Sequence, residues 1–550
     1  MTAALVGVLS GQRTLMIEKS NQVGGTSATS SGTVWIPNNS YQRQHGITND
    51  EHLAHQYLKA LVGERTDRAM WETYIKAAPE MLSFLESQTD IRFRPYPTQP
   101  DYRQELQGAA AGWRPLEPMP FDGRSLGSHF DDVRWPLPEL MLFGRMMITR
   151  GEAVRLLKMG RSLDSLLLGA KLLTRYAMDR IRYQRGTRLV IGNALVGRLY
   201  KNLLDRGASV WLSSAVSALN VESGRPIGLE LLNKRGSSKV SARKGVILAG
   251  GGFPASRVLR ERYLPSPTPQ FTAAFEGCTG DTLLMAQAAG AALGTPGVDN
   301  ALWFPSSVGQ RKDGSQAVYP HIILDRAKPG LIAVNREGRR FVNEGLSYHD
   351  FTRAMYKAHQ TTACIPARLV CDRRFIWKYG LGMIRPMSFS LKSFIERGYV
   401  QAADSLSELA EKIEVDPQGL LETVRLQNSD ADKGIDSEFG KGSGLYERIA
   451  GDSEHQPNPC LGPIERAPFF SVAVWPTPLG TSLGLQTDSH GQVLDHDRQP
   501  LRGLYACGND MHSPMGGEYP GAGSQLGIGM TFGYLSAKHA AREDGGRNVI

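Results

Sequence analysis

The feature that most restricts the fold lies near the C-terminus, where a short apolar segment leads into a glycine-rich loop. Residues 503–509 are typical of a buried strand that ends in a tight turn. Residues 518–527 predict a loop running into a helix from Ser524 to about Ala541, with five glycines between Gly516 and Gly527. Glycine lets the backbone lie flat against a ligand, and the helix N-terminus favours a delocalised anion. The alternative is a turn that only packs the helix on a sheet.

Length and composition indicate a globular α/β protein of two to four domains. The chain has 550 residues, and about 150 residues per domain is typical. The net charge of +9 is spread along the chain, which argues against nucleic-acid binding. The five cysteines have no metal-binding spacing, and the sequence contains no run of ~18 apolar residues and no convincing signal peptide. We therefore expect a reduced, cytoplasmic protein with no metal site.

The N-terminal residues predict a dinucleotide-binding unit whose beginning is missing. Residues 1–12 look helical, and residues 13–19 form a short β segment with an acid, Glu18, at its end. In a βαβ dinucleotide-binding unit, an acid at this place accepts a hydrogen bond from a ribose hydroxyl. The first strand and its GxGxxG turn do not precede it. We favour Met1 as an internal methionine of a longer chain; the alternative is a protein that has lost its pyrophosphate turn.

Three further stretches of small residues permit close approach of the backbone to a ligand. Residues 23–33 are small or hydroxylated, as a phosphate or a flavin edge requires, and the apolar segment 34–36 follows directly. The alternative is a Ser/Thr-rich surface loop. Residues 245–249 predict a buried strand that enters the glycine turn 250–253, and residues 279–281 open a helix.

Two segments in the first half of the chain suggest a site wall and a surface helix. Residues 93–150 are irregular and rich in proline, and such long loops often form lids or site walls. Residues 151–185 are helical, with leucines among basic residues: Lys158, Arg161, Lys171, Arg175, Arg180 and Arg182. We interpret the helices as packed on the core with a solvated basic face. The alternative is a peripheral contact with a membrane surface through which an apolar substrate enters.

Taken together, these segments resemble the FAD-dependent fumarate reductase and 3-ketosteroid dehydrogenase superfamily. The matching residues are Glu18-Lys19, 24–28, 35–37, 250–253, 279–281, 334–344 and the loop from Gly503 onward. Within the superfamily the chain most resembles 3-ketosteroid Δ1-dehydrogenases, through residues 142–146, Asn343-Glu344 followed by Tyr348, and residues 519–523.

The resemblance implies an α/β fold with a Rossmann-like FAD-binding domain, here without its first strand and GxGxxG turn. This domain would comprise residues 1–285 and 461–550, and an inserted α+β catalytic domain of residues 286–460 would cover the flavin. Glu18 and the Val216 region would meet the adenosine end of FAD. The implied cofactor contacts are Glu18, Lys19, Gly25, Thr26, Ser27, Ala28, Gly32, Val216, Gly250, Thr279, Asp281, Gly508, Asn509, Ser524 and Leu526.

The resemblance also implies removal of two hydrogens from carbons 1 and 2 of a 3-ketosteroid. Tyr519 and the backbone N–H of Gly523 would polarise the carbonyl, and Tyr348 would take the neighbouring proton. A tyrosine of pKa about 10 is a poor base, so we expect a helper, for which Tyr102 is the candidate. FAD would accept the hydride. Each tyrosine has an alternative interpretation as an ordinary packed aromatic.

Three other functions remain as alternatives. The first is a 3-oxo-5α-steroid 4-dehydrogenase or another flavin enone oxidoreductase, which would share the cofactor and the carbonyl site. The second is reduction of a small diacid, which needs cations where this chain has Tyr519 and Pro520. The third is an inactive, N-terminally truncated homologue that cannot hold FAD. No motif identifies the electron acceptor.

Overall fold

The computed structural model describes residues 1–156, 162–222, 225–233, 236–322 and 324–543. Lys158 and Arg161 of the predicted basic helices lie outside these ranges. Three short 3₁₀-helices span Gly123–Asp132, Pro138–Leu140 and Gly508–Asp510. The α-helices are α1 (Thr2–Leu9), α2 (Gly25–Thr29), α3 (Ser40–Gln44), α4 (Asp50–Val62), α5 (Arg68–Gln88), α6 (Arg150–Leu156), α7 (Leu163–Arg182), α8 (Ile191–Asp205), α9 (Arg257–Tyr263), α10 (Asp281–Ala288), α11 (Tyr348–His359), α12 (Arg373–Tyr379), α13 (Lys392–Glu396), α14 (Leu406–Lys412), α15 (Pro417–Lys433), α16 (Leu445–Ala450) and α17 (Ser524–Arg542).

The strands range from two to thirteen residues. They are β1 (Leu15–Ile17), β2 (Val34–Trp35), β3 (Phe93–Pro95), β4 (Pro115–Pro118), β5 (Phe121–Asp122), β6 (Arg188–Leu189), β7 (Ser209–Trp211), β8 (Ala215–Glu222), β9 (Arg225–Asn233), β10 (Gly236–Ser241), β11 (Val246–Leu248), β12 (Ala301–Gln310), β13 (Gln316–Pro320), β14 (Leu331–Val334), β15 (Ala367–Asp372), β16 (Gln401–Ala403), β17 (Phe469–Thr481), β18 (Gln492–Leu494) and β19 (Pro500–Ala506).

Parallel strand pairs support the part of the chain that resembles a dinucleotide-binding domain. Strand β1 pairs in parallel with β7, and β11 pairs in parallel with β19. Helices α1 and α17 pack against each other, and the largest apolar core runs through both of them. The predicted C-terminal helix is confirmed, since α17 begins at Ser524 and ends at Arg542. Strands β8, β9 and β10 form a separate antiparallel sheet.

A six-stranded sheet organises the segment after residue 300. Its order is β13-β12-β17-β15-β14, and β16 also pairs with β17. The central strand β17 lies after the predicted domain boundary at residue 460, so it returns to the inserted segment before the chain reaches β18 and β19. Two further apolar clusters cover this sheet. The domain division itself stays a prediction.

The described helices include none that is both long and apolar enough to cross a membrane.

A buried ion network holds the turn between β14 and α11, just before Tyr348. The Arg340 guanidinium donates two hydrogen bonds to Glu344, each 2.9 Å long, and two to Asp436, at 2.8 and 2.9 Å. The Lys441 ammonium lies 3.3 Å from Glu344, and all four side chains are at most 2% exposed. Although burial alone raises the pKa of each carboxyl, these cations outweigh it. They lower the pKa of Glu344, and Arg340 with backbone N–H donors lowers that of Asp436 to about 2.

We expect Arg340→Met to reduce the free energy of unfolding by about 3–5 kcal/mol, because it leaves two buried carboxylates without their partner. Urea unfolding followed by circular dichroism measures this loss. Arg339→Ala is the matched control, since Arg339 pairs with Glu422 at the surface and such pairs contribute at most about 1 kcal/mol.

The same network predicts a sign for the pH dependence of stability. Both carboxyls have a lower pKa folded than unfolded, so their contribution is present above about pH 4.5 and is lost as the pH falls towards about 2. Equal losses for Arg340→Met and Arg339→Ala, or a wild-type protein whose stability does not fall in acid, would contradict this account.

Candidate active site

Three of the predicted site tyrosines meet in one buried cluster, although they are far apart in the sequence. The Tyr102 hydroxyl donates a hydrogen bond of 2.8 Å to the Tyr348 hydroxyl. The ring centroid of Tyr519 lies 5.3 Å from that of Tyr348 and 5.6 Å from that of Tyr102. All three side chains are buried. The structure therefore brings together the predicted base, its predicted helper and the predicted carbonyl donor.

Helix ends and loop contacts fix these tyrosines in place. Tyr348 is the first residue of α11, directly after the N-cap Ser347, whose hydroxyl accepts a hydrogen bond of 3.1 Å from the backbone N–H of Asp350. The backbone N–H of Tyr102 donates to the carbonyl of Pro520 at 3.0 Å, next to Tyr519. The proline-rich segment is thus tied to the glycine-rich loop, as a site wall would be.

Gly523 presents a free backbone donor close to this cluster. It is the N-cap of α17, with φ of +92°, and a side chain there would place a Cβ 2.3 Å from the carbonyl oxygen of Thr33. Its own carbonyl accepts from the N–H of Trp35 at 3.2 Å. Among the described residues, its N–H donates to no acceptor. The predicted pair of Tyr519 and Gly523 therefore has one donor available for a ligand oxygen.

Burial works against ionisation in the tyrosine cluster. The pKa of Tyr348 lies well above its usual 10, first because burial penalises the phenolate and then because Tyr102 and Tyr519, when ionised, repel a second negative charge. Burial also raises the pKa of Tyr519 to about 12, against hydrogen bonds from Tyr348 and Ser524. A base built from Tyr348 therefore needs a compensating positive charge.

The walls around the three tyrosines are mainly apolar. Tyr446 packs on Tyr102 with ring centroids 5.1 Å apart, and Phe304 packs on Tyr348 at 4.3 Å. The remaining members of the cluster are Leu302, Ile322, Leu479 and Ala522. Tyr446 was not predicted, because a tyrosine in a short helix carries no local pattern that marks it as a site residue.

The structure also brings together several of the predicted cofactor contacts that follow β1 and precede α10. The Lys19 ammonium lies 2.7 Å from the Thr279 hydroxyl and 2.5 Å from the Asp281 carboxylate, across about 260 residues of sequence. The pKa of Asp281 is lowered, since hydrogen bonds from Lys19 and Thr279 outweigh burial. The carbonyl of Glu18 accepts from the backbone N–H of Ser214 at 3.0 Å, two residues before Val216 on β8.

The small residues after β1 form a compact turn against the rest of the domain. Helix α2 contains Gly25, Ser27 and the buried Ala28; its Thr26 hydroxyl accepts from the backbone N–H of Phe275 at 2.8 Å. At Gly32, with φ of +66°, a Cβ would lie 2.7 Å from the backbone nitrogen of Gly192. This close packing explains why small residues fill the stretch.

A buried carboxylate joins the two glycine turns at the ends of β11 and β19. Asp510 accepts hydrogen bonds from the backbone N–H of Gly250 at 2.6 Å and of Gly252 at 2.8 Å. Gly508 and Asn509 precede it in the same 3₁₀-turn, and Ser524 and Leu526 lie in the first turn of α17. The predicted cofactor residues therefore group into three neighbourhoods, around Lys19, α2 and Asp510.

Unpaired buried donors in these neighbourhoods fit a flat anionic ligand such as a flavin dinucleotide. The Gln525 side-chain nitrogen and the Arg134 Nε find no hydrogen-bond partner among the described residues. Gln525 lies in the first turn of α17, and the Arg134 guanidinium stacks 3.6 Å from the ring centroid of Phe275, next to Thr26. At Gly508, with φ of +64°, a Cβ would meet no atom within 4 Å, so its backbone faces open space. Neither Arg134 nor Gln525 was predicted.

Comparison with known proteins identifies the cofactor these residues suit. Residues 1–526 match the protein family described as the FAD binding domain. The chain belongs to this FAD-binding flavoprotein family. The predicted flavoprotein fold, FAD as cofactor and activity as an FAD-dependent oxidoreductase are thereby confirmed.

Similar proteins cover almost the whole chain. A 3-oxosteroid 1-dehydrogenase of Mycobacterium tuberculosis is 34% identical over 100% of this chain and 97% of its own length. A 4-oxocyclohex-2-ene-1-carboxylate 5-dehydrogenase of Sinomonas cyclohexanicum is 34% identical over 98% of this chain and 92% of its own length. The crystal structure of the 3-ketosteroid delta1-dehydrogenase from Sterolibacterium denitrificans in complex with 1,4-androstadiene-3,17-dione superposes with a TM-score of 0.92, at 35% identity, over 98% of this chain and 97% of that one.

We expect Gly523→Ala to reduce both flavin content and activity, because the new Cβ would collide with the Thr33 carbonyl and the backbone is left-handed. Flavin absorbance per protein measures the first effect. The matched control is Gly11→Ala, where φ is +77° and a Cβ would meet no atom within 4 Å. The same loss of flavin in both variants would contradict a specific role for the Gly523 backbone.

Proposed function

We propose that this flavoprotein desaturates carbons 1 and 2 of a 3-ketosteroid. The observation that carries the proposal is the tyrosine cluster beside the free backbone N–H of Gly523. The likeness to 3-oxosteroid 1-dehydrogenases over the whole chain supports it. Lys19, Thr26, Asp281, Gln525 and the N-terminus of α17 would hold FAD, which when bound supplies the acceptor for the hydride.

The chain's own residues would do the acid–base part of the reaction. The Tyr519 hydroxyl and the Gly523 N–H would donate to the ketone oxygen, and negative charge that develops there would be stabilised by both. The hydrogens on the neighbouring carbon thereby become acidic. Tyr348 would take one of them as a proton, while the hydrogen bond from Tyr102 stabilises the phenolate that this step requires. The buried walls would keep water away from the reacting carbons.

The apolar lining favours a steroid over a small ketoacid. The ring-bearing and aliphatic side chains around the tyrosines offer contact surface for a fused hydrocarbon skeleton. A 4-oxocyclohexane carboxylate would need a cation for its carboxylate. The buried guanidinium next to the cluster, that of Arg326, already donates four hydrogen bonds to backbone carbonyls. The small ketoacid in the name of the Sinomonas cyclohexanicum relative, 4-oxocyclohex-2-ene-1-carboxylate, therefore serves as the contrasting substrate.

The test is product analysis of the purified, yellow protein with an artificial electron acceptor. We expect 4-androstene-3,17-dione to give 1,4-androstadiene-3,17-dione, and 4-oxocyclohex-2-ene-1-carboxylate to react at least about 100-fold more slowly, as expected when a site lacks a partner for a charge. Turnover of only 5α-saturated steroids at carbon 4, or of only the ketoacid, would contradict the proposal. A protein purified without flavin absorbance would support the inactive homologue instead.

We expect Tyr348→Phe to lower kcat by about 10³-fold or more while flavin content and steroid binding are retained, since general bases contribute roughly 10²–10⁴-fold. Tyr102→Phe should lower kcat only about tenfold, because it removes a hydrogen bond to the proposed base and leaves the base itself in place. The half-buried Tyr534, on the far part of α17, gives a matched control in Tyr534→Phe. Full activity of Tyr348→Phe would contradict the assignment of the base.

We also propose that α7 rests on an anionic membrane surface from which apolar substrate is delivered. The helix exposes a row of apolar side chains, Leu163, Leu166, Leu167, Leu173, Met178 and Ile181, of which Ile181 is 82% exposed. Lys171, Arg180 and Arg182 are exposed on the same helix. Apolar side chains flanked by basic ones are the composition of helices that lie in a membrane interface. The prediction of a cytoplasmic location is compatible with this peripheral contact.

We expect the protein to sediment with phosphatidylserine vesicles at low salt. The double variant Leu167→Glu, Ile181→Glu should reduce the sedimented fraction at least several-fold. Each glutamate places a charge where an apolar contact with lipid is proposed. Val298→Glu is the control, since Val298 is 94% exposed and lies outside α7. Absence of wild-type sedimentation, or equal weakening by the control, would overturn the contact.

A further inference from the structure

Arg326 is a buried cation that the proposed reaction has not yet used. Its side chain is 2% exposed. The guanidinium donates to the carbonyls of His321 at 2.8 Å and Ile322 at 3.3 Å, on the segment that leaves β13. It also donates to the carbonyls of Glu344 at 2.8 Å and Leu346 at 3.1 Å. The second pair of bonds holds the turn that ends two residues before Tyr348.

The Arg326 guanidinium is held by carbonyl oxygens rather than by carboxylates. In the part of the chain that the structure describes, no Asp or Glu oxygen lies within 4.0 Å of the Arg326 side-chain nitrogens. The neighbouring carboxylates have other partners: Asp325 accepts from His321 at 2.6 Å, and Glu344 accepts from Arg340. A buried charge that is bound only by carbonyl dipoles is costly, and it favours negative charge nearby.

Negative charge near Arg326 can develop on the tyrosines. Burial lowers the pKa of Arg326, and the negative charges of Tyr446, Asp325, Glu344 and Tyr102, when ionised, act in the opposite direction. The two tyrosines therefore lie within its electrostatic reach, together with the two carboxylates. Tyr102 is hydrogen bonded to Tyr348 at 2.8 Å. Because the two hydroxyls are joined by this hydrogen bond, the loss of a proton from either one is coupled to the other. An apparent pKa measured there describes the pair rather than one residue.

We propose that Arg326 is the positioning residue that makes the Tyr102–Tyr348 pair usable as a base. It holds the turn before α11, and its charge stabilises the ionised form of the pair. This inference rests on the proposed function. In the step it assists, a C–H bond next to the ketone breaks, the proton forms an O–H bond with the tyrosinate pair, and the electron pair moves towards the ketone oxygen.

Other titratable groups lie around the pair and Arg326, and the test variants leave these residues in place. His349 has a pKa well below its usual value, first because of burial and then because of Arg353, so it remains neutral. Tyr519 acts directly on Tyr348. The other charged and titratable groups on the elements packed around the pair and Arg326 are Tyr446, His349, Asp350, Asp325, Glu344, Arg103 and Arg353. Among the described residues, only Arg326 has a side chain that donates to the carbonyls of both His321 and Glu344.

The test compares Arg326→Gln with the charge-conserving Arg326→Lys in the flavin-loaded protein. Ultraviolet titration of tyrosinate, taken as the difference from Tyr348→Phe in each background, reports the pair without any substrate. We expect Arg326→Gln to raise the apparent pKa by at least about one unit and to lower kcat/KM about tenfold at pH 8, with recovery as the pH rises. In Arg326→Lys the apparent pKa of the pair should stay within about half a unit of the wild-type value, while kcat falls because the lysine positions the turn less well.

A residue with a merely structural role would lower the melting temperature without moving the tyrosinate titration. An unshifted titration in Arg326→Gln therefore overturns the inference, even if the wild type desaturates steroids. If Arg326→Gln does not fold, Arg326→Lys decides. A pKa raised by a full unit despite the conserved charge, or a conserved pKa with a lowered melting temperature, overturns the inference; a conserved pKa with reduced kcat and an unchanged melting temperature supports it. A shifted titration in a protein that leaves steroids unchanged rejects the proposed function and retains the role of Arg326.

Discussion

The hydrogen bond between Tyr102 and Tyr348 joins two segments that the fold must bring together from distant parts of the chain. Tyr348 starts α11 on the inserted segment, and Tyr102 lies in the proline-rich loop, 246 residues away. The two hydroxyls meet only because α11 is held against the six-stranded sheet and the loop is tied to Pro520 beside the glycine-rich turn. The proposed base, assembled from two distant segments, exists only in the folded protein, so this proposal couples folding to reactivity.

Burial both protects this pair and opposes its chemistry. An apolar cluster excludes water and offers contact surface to a hydrocarbon substrate, but it also raises the pKa of Tyr348 well above the ordinary value. The Arg340 network fixes the turn before α11 from one side, and Arg326 holds the same turn from the other. Two arginines on one turn thus have different surroundings, since Arg340 is neutralised by carboxylates and Arg326 is bound by carbonyls.

The sequence predicted best where the chemistry constrains the backbone. Glycine and small residues mark close backbone approaches, so the tight turns at Gly250 and Gly523 and the small residues of α2 could be predicted from the pattern. The contacts of these residues and of Glu18 with FAD stay predictions. The candidate catalytic tyrosines were predicted through the family resemblance, and the structure places them together. Arg134, Gln525, Arg326 and Tyr446 were missed because their roles arise from long-range packing. Arg326 in particular resembles any surface arginine until its carbonyl partners are known.

The most direct test of this account is hydrogen exchange at carbon 2 of 4-androstene-3,17-dione in D₂O, with the flavin kept reduced so that no hydride can be transferred. The account predicts that wild-type protein exchanges this position well above the rate without enzyme, and that Tyr348→Phe does not. Equal exchange by both proteins, or none by the wild type, would contradict the claim that the buried tyrosine pair removes the proton.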